Sequence, residues 1–202
     1  MTTCRLSVSR GNSKTGKIQS ISFPTRECPV QCDYCYARNI ERRYPTVARA
    51  WAGNSWYFRE TPEAEIVECI RHEIAGAGLF RWLVGGEFTD KAHAIAVELA
   101  ERMSRTRFMA YTKRSELGKI RRPPNFMLLF SYPEVYDSPY SEVCATPEVL
   151  DDLVHKAHAM GFDSAAVIFR EYTNCPHQVD GRTCQQCQGC YYGEPLAIRL
   201  HR

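Results

Sequence analysis

Five segments typical of strands recur along the chain, separated by segments with helical periodicity. The first, at 17–24, alternates apolar and polar residues and ends at Pro24. The other four are near-continuous apolar runs at 79–86, 106–113, 125–132 and 164–171, and a weaker sixth segment spans 196–200. Such runs are typical of parallel strands that are buried on both faces. Strands alternating with helices predict an α/β fold of parallel β/α units. Because five to six strands are too few for a closed eight-stranded barrel, we expect a partial, open TIM-like barrel.

Helices are predicted between these strands, at 61–78, 89–104 and 146–161, with a further helix within 38–52 and a short one at 115–121. The helix at 61–78 is expected to begin with Thr61 as its N-cap and Pro62 at the first helical position. In parallel β/α folds the reactive edge lies at the carboxyl ends of the strands. The polar residues at the ends of the third, fourth and fifth strands are therefore pocket candidates, and Ser131 among them is assigned to cofactor binding. These candidates are Tyr111, Lys113, Ser131, Tyr132, Arg170 and Glu171.

A cysteine triplet follows the first predicted strand directly. Cys28, Cys32 and Cys35 have the spacing C-x3-C-x2-C. Sulfur ligands at this density suit iron–sulfur clusters and zinc. Three cysteines can hold three irons of a four-iron cluster, which leaves the fourth iron open to a substrate. A zinc site completed by a distant residue is the alternative.

Composition sets the expected compartment. The chain has 202 residues, ten cysteines and a net charge of +3. Its polar start is unlike a signal peptide, and no apolar run reaches a membrane-spanning length. We therefore expect a cytoplasmic protein with no membrane partner, in which thiols are reduced and serve metal binding or catalysis rather than disulfides. On that expectation Cys4 is an exposed thiol and Cys69 a buried packing residue.

Two motifs together carry a family resemblance. Cys28-Pro-Val-Gln-Cys32-Asp-Tyr34-Cys35 follows the first strand, and Gly85-Gly86-Glu87 ends the second. This combination resembles the signature of the radical S-adenosylmethionine (SAM) superfamily, and the likeness covers residues 17–171. One departure is Phe88, which stands where the family often has proline after the Gly-Gly-Glu segment.

The resemblance implies a specific chemistry. The three cysteines would hold a [4Fe–4S] cluster, and Gly85, Gly86 and Glu87 would contact the amino group of SAM. The reduced cluster would cleave SAM, and the resulting radical would abstract hydrogen from a substrate. Glu87 and the motif's aromatic residue, Tyr34, are the catalytic candidates, and Tyr34 is also a cofactor-binding candidate. The electron would come from an external donor of flavodoxin or ferredoxin type.

A weaker resemblance concerns the segments at 11–29 and 42–54. These are similar to a small phage-associated branch of iron–sulfur proteins. That likeness implies a viral origin and a role in nucleic-acid modification, with a nucleotide or a modified nucleic acid as the substrate.

A second cysteine group lies near the end of the chain. Cys175, Cys184, Cys187 and Cys190 have the spacing C-x8-C-x2-C-x2-C, which is similar to the compact runs of bacterial ferredoxins. Four thiolates can ligate every iron of a second [4Fe–4S] cluster. A structural zinc, with His177 as an alternative ligand, is the other interpretation. We therefore predict a barrel core at 1–171 and a cluster-binding segment at 172–202.

Two other classes of function remain open from the residues. One is a metal-stabilised module that binds nucleic acid through its basic clusters at 37–43 and 113–122. The other is an iron–sulfur sensor that does not cleave SAM. The Gly-Gly-Glu segment favours the enzyme, because a binding module has no need of it.

Overall fold

The computed structural model describes residues 4–136, 147–169 and 173–199 of the chain. The six strands are β1 Gln19–Ile21, β2 Leu79–Trp82, β3 Arg107–Thr112, β4 Phe126–Tyr136, β5 Ser164–Phe169 and β6 Leu196–Arg199. They form one open sheet in chain order. The parallel pairs include β1 with β2, β4 with β5, and β5 with β6. The predicted α/β class with up to six parallel strands is confirmed, and β6 is the sixth.

The helices are α1 Tyr36–Arg43, α2 Pro45–Glu60, α3 Glu63–Glu73, α4 Asp90–Arg102, α5 Pro147–Ala159, α6 Pro176–Asp180 and α7 Cys184–Cys187. Short 3-10 turns lie at Thr25–Glu27, Ser115–Lys119 and Gly189–Tyr192. No helix among the described residues is long and apolar enough to cross a membrane.

Two helix predictions are wrong in detail. The single helix predicted within 38–52 is two helices, because Pro45 has no backbone N–H to continue α1 and instead begins α2. Thr61 is not the N-cap of α3. Its N–H donates to the Tyr57 carbonyl at 3.0 Å and ends α2, and Pro62 is the N-cap of α3.

The chain divides into two compact units. The first comprises Met1–Gly11, Ile18–Phe108 and Arg122–Phe126. Its core is aromatic: Phe80 packs against Trp82 and Phe108, with ring centroids 5.2 and 5.7 Å apart. At its edge the Asn125 side-chain amide donates to three backbone carbonyls, those of Ala100, Met103 and Thr106.

A disulfide joins Cys4 to Cys69 within the first unit, across 65 positions of sequence. The prediction that Cys4 is a free exposed thiol is therefore wrong. Cys69 is buried, as expected, but it is bonded rather than only packed. The prediction rested on an assumed reducing compartment, and spacing alone gives no sign of a pair so distant in sequence.

The second unit comprises Asn12–Lys17, Met109–Arg121 and Met127–Arg202. Phe130 is central to its core, with ring centroids 4.9 Å from Tyr132 and 5.0 Å from Phe162. The Asn12–Lys17 segment is a tight hairpin in which Asn12 and Gly16 exchange backbone hydrogen bonds of 3.1 and 2.8 Å. The boundary between residues 171 and 172 falls inside this unit, and the assignment of 172–202 to a cluster-binding segment stays a prediction.

Candidate metal centre and adjoining pocket

The cysteine loop, residues 28–35, follows β1 after the 3-10 turn Thr25–Glu27, and it folds back on itself. The N–H of Cys28 donates to the Thr25 carbonyl at 3.1 Å. Gln31 adopts a left-handed backbone conformation with φ of 48°, and its side-chain amide donates to the carbonyls of Thr25 and Cys28. Cys35 is the N-cap of α1, and its N–H donates to the Cys32 carbonyl at 3.2 Å. Local hydrogen bonds thus hold both ends of the triplet.

All three cysteines of the triplet are free and half-buried. Burial raises the pKa of the Cys28 thiol, hydrogen bonds with the backbone of Val30 and Gln31 oppose that rise, and the negative charges of Glu87 and Cys32 add to it. Cys28 therefore lies in the electrostatic neighbourhood of both Cys32 and Glu87. A metal centre at this position would offset the mutual repulsion of these groups.

The Gly85–Glu87 segment follows β2, the parallel neighbour of β1. The backbone of the two loops is joined by the N–H of Phe23, which donates to the Gly85 carbonyl at 3.1 Å. A Cβ on Gly85 would lie 2.3 Å from the ring of Trp51, and one on Gly86 would lie 2.7 Å from the Phe23 carbonyl oxygen. Gly86 also has a left-handed φ of 84°. Only glycine fits both positions without movement of a neighbour.

Glu87 is buried, with 7% of its surface exposed. Its carboxylate accepts a hydrogen bond of 2.9 Å from the N–H of Phe88. A proline at that position has no N–H to donate, so the departure from the family pattern adds a partner for the carboxylate.

Two tyrosines belong to the cysteine loop and α1. Tyr34 is half-buried in the turn between Cys32 and Cys35. Tyr36, the first residue of α1, donates its hydroxyl hydrogen to the carbonyl of Val84, two residues beyond the end of β2. Sequence reasoning singled out Tyr34 and missed Tyr36, which connects the cysteine loop to the Gly-Gly-Glu loop.

A pocket of about 250 Å³ adjoins this site in the first unit. Glu27 accepts hydrogen bonds from the Ser55 hydroxyl and from Arg59 Nη1, the latter at 3.1 Å. The aromatic wall consists of Phe23 and Phe58, whose rings meet edge to face at 4.9 Å. The pocket combines acidic, basic and apolar groups, and its lining residues are Phe23, Pro24, Glu27, Ser55, Phe58, Arg59, Glu87, Thr89 and Lys91. Such a lining suits a small ligand that carries both charges.

Several of these pocket residues escaped the sequence predictions. Ser55 and Arg59 are four positions apart in α2 and lie on one face of it, which is a recognisable signal. They were missed because the helix was expected to end at residue 52. Glu27 is next to Cys28 and could have been found by that adjacency, whereas no sequence signal indicates Lys91.

The second cysteine group and Ser131 lie in the second unit. Cys175 is buried with Ala166 and Leu196, while Cys184, Cys187 and Cys190 are half-buried and form no disulfide. Ser131, in β4, accepts a hydrogen bond of 2.8 Å from Lys113 Nζ through its hydroxyl. Of the other pocket candidates, Arg170 and Glu171 lie outside the described residues.

Within residues 4–136, 147–169 and 173–199, no group of three or more His, Cys, Asp or Glu side chains is arranged to hold a metal ion. The donor chemistry nevertheless fits a thiolate-ligated centre, because seven described cysteines are not in disulfides and they fall into the two predicted groups. The assignment of either group as ligands stays a prediction.

Fold and site together define an α/β protein with a thiol-rich loop after the first strand of a parallel sheet. The chain belongs to the Gene product 88 family, whose family model matches residues 4–193. No match was found among curated proteins, and none among solved structures. The name of the family specifies no activity.

Proposed function

We propose that the protein is a radical SAM enzyme in which Cys28, Cys32 and Cys35 hold a [4Fe–4S] cluster. The observation that carries the proposal is the parallel pairing of β1 and β2. Because of it, the cysteine loop and the Gly85–Glu87 segment leave the sheet side by side, joined by the hydrogen bond from Phe23 to Gly85.

The chemistry of the bound cofactors would be a single-electron cleavage. A [4Fe–4S] cluster held by Cys28, Cys32 and Cys35 would supply the electron for reductive cleavage of the bond from sulfur to C5′ of SAM, and a hydrogen atom would then be taken from the substrate. An external protein of flavodoxin or ferredoxin type would return the electron to the cluster.

Residues of the protein itself would bind SAM and orient it. The buried Glu87 carboxylate borders the pocket and would accept a charge-assisted hydrogen bond from the SAM ammonium. Phe23 and Phe58 exclude water from one wall, which strengthens that interaction. A volume of about 250 Å³ is below that of pockets for whole drug-sized ligands, so the pocket suits the aminoacyl end of SAM.

We further propose a substrate class and a cellular compartment for this enzyme. The phage-branch likeness of 11–29 and 42–54 favours a nucleotide or a modified nucleic acid as substrate. A reducing cytoplasm suits two cysteine groups whose members are not in disulfides. The Cys4–Cys69 disulfide weighs against that compartment, since such bonds are rare there.

The test is anaerobic reconstitution with iron and sulfide, followed by measurement of SAM binding and of 5′-deoxyadenosine after reduction with dithionite. We expect Cys32→Ala to abolish 5′-deoxyadenosine formation. We expect Glu87→Gln to keep its iron but to lose a charge-assisted hydrogen bond of about 1.5–3 kcal/mol, which is about 10- to 150-fold in SAM affinity.

The matched control for Glu87→Gln is Glu65→Gln, which neutralises an exposed carboxylate on α3. Parent-level 5′-deoxyadenosine from Cys32→Ala would contradict the proposed role of the triplet. Equal SAM affinity in Glu87→Gln and Glu65→Gln would remove Glu87 from the binding site.

A further inference from the structure

The backbone around the C-terminal cysteines is closely specified by capping interactions. Thr183 and Gln186 form a reciprocal capping box: Thr183 Oγ1 accepts from the Gln186 N–H at 3.3 Å, and Gln186 Oε1 accepts from the Thr183 N–H at 2.9 Å. The box fixes α7, whose first and last residues are Cys184 and Cys187. Residues three apart lie on the same face of a helix, so these two thiols share a face.

The fourth cysteine, Cys190, lies in the turn that follows α7. Gln188 ends α7 in the left-handed conformation with φ of 57°, and the following 3-10 turn carries Cys190. Cys190 packs against the same small apolar group as Cys175, which includes Ala166 and Leu196. Cys175 and Cys190 thus pack at one apolar group. Cys184 and Cys187 lie on one face of α7, which falls between those two cysteines in sequence.

Contacts from distant parts of the chain hold this segment in place. The Cys184 N–H donates to the Lys14 carbonyl at 2.8 Å, and the Lys17 N–H donates to Gln185 Oε1 at 2.9 Å. At the other end, the Ala197 N–H donates to Asn174 Oδ1 at 2.8 Å. Hydrogen bonds to distant residues therefore hold the backbone of the segment that contains the four cysteines, near Asn174 and near Cys184.

One further contact reaches a cysteine sulfur directly. The Tyr111 hydroxyl, at the end of β3, donates to Cys190 Sγ at 3.0 Å. A hydrogen bond to a ligand sulfur withdraws negative charge from a cluster and stabilises its reduced form, so such bonds help to set cluster reduction potentials.

We propose that Cys175, Cys184, Cys187 and Cys190 hold a second [4Fe–4S] cluster and that the hydroxyl of Tyr111 raises its reduction potential. The C-x2-C-x2-C run favours a cluster over a single ion. Four thiolates leave no iron open, so this centre binds no SAM. The proposal goes beyond the SAM-cleaving function and does not depend on it.

The first experiment isolates the second centre by using Cys32→Ala protein, in which the triplet is incomplete. After anaerobic reconstitution we expect about four irons per chain and no stoichiometric zinc, as one cubane requires. Adding Cys187→Ala to this protein should remove the iron. Stoichiometric zinc, or iron that persists without Cys187, would overturn the cluster assignment.

The second experiment tests the role of Tyr111 with a matched pair of tyrosine variants made in the same Cys32→Ala protein. Tyr111→Phe removes the donor to Cys190, whereas Tyr132→Phe removes a hydroxyl that donates to the Leu153 carbonyl at 2.8 Å. In anaerobic dithionite titrations followed by electron paramagnetic resonance, we expect a more negative midpoint potential for Tyr111→Phe alone. An unchanged potential in Tyr111→Phe, or an equal shift in Tyr132→Phe, would overturn the role of Tyr111.

The two proposals fail separately. Four irons in Cys32→Ala protein together with no 5′-deoxyadenosine from the parent would support the second cluster and refute the radical SAM function. SAM cleavage by the parent together with zinc at the C-terminal cysteines would support the function and refute the second cluster.

Discussion

Substitution of Gly86 by alanine tests the idea that the Gly-Gly-Glu loop is held by close backbone contact with the cysteine loop. An added Cβ would lie 2.7 Å from the carbonyl oxygen of Phe23. That oxygen is part of the backbone, and Phe23 is held by its own hydrogen bond to Gly85. The contact cannot be relieved by rotation of a side chain, so one of the two loops has to move.

The expected loss of stability has two parts. Left-handed backbone costs about 1–2 kcal/mol for a residue with a Cβ. Forcing an extra methyl group into a packed site costs about 1–3 kcal/mol more. Gly86→Ala should therefore lower the free energy of unfolding by about 2–5 kcal/mol.

Gly76 provides the matched control. Its φ of 80° is close to the 84° of Gly86, but a Cβ there would meet nothing within 4 Å. Gly76→Ala should therefore lose only the backbone part, about 1–2 kcal/mol. Urea titrations of both variants, followed by far-UV circular dichroism, give the two free energies. Equal losses in the two variants would refute the close-contact argument.

Two further predictions concern the first unit. Cys4→Ser opens a covalent loop of 65 positions and should lower the free energy of unfolding by about 4 kcal/mol in oxidising buffer. Reductant should destabilise the parent protein by the same amount and leave the variant unchanged. An equal response of the parent and the variant to reductant would contradict the disulfide. Asn125→Ala removes a side chain that bonds three carbonyls and should cost about 2–3 kcal/mol in urea titrations, so a loss below about 0.5 kcal/mol would show those bonds to be unimportant.

The strands were predictable because most of them are long apolar runs and because proline or glycine residues end the first two. The run at 79–86 became β2 Leu79–Trp82, and the remaining residues of the run formed the turn that the double glycine indicates. The helix predicted at 89–104 became α4, with Thr89 as its N-cap, and the Thr89 hydroxyl accepts from the Ala92 N–H at 3.1 Å. Helix starts of this kind can be predicted from sequence because an N-cap side chain bonds a backbone N–H only two or three residues away.

Long-range features were harder to predict. The Cys4–Cys69 pair depends on where α3 lies relative to the start of the chain, which no local pattern encodes. The pocket likewise needs α2, whose C-terminal half carries Ser55 and Arg59, to lie beside Glu27. The Tyr111–Cys190 contact joins residues 79 positions apart, and spacing motifs carry no information at that range.

The hairpin at Asn12–Lys17 has a consequence for biosynthesis. Its partner in the folded protein, Gln185, is 168 positions away from Lys17. A ribosome that adds about 5–20 residues per second needs roughly 10 to 30 seconds to cover that distance. During this interval the hairpin is exposed without its partner, and the C-terminal thiols have not yet been made. The hydrogen bond between the hairpin and the segment around α7 therefore cannot form until Gln185 has been synthesised, so the hairpin waits far longer for this partner than for its own local contacts.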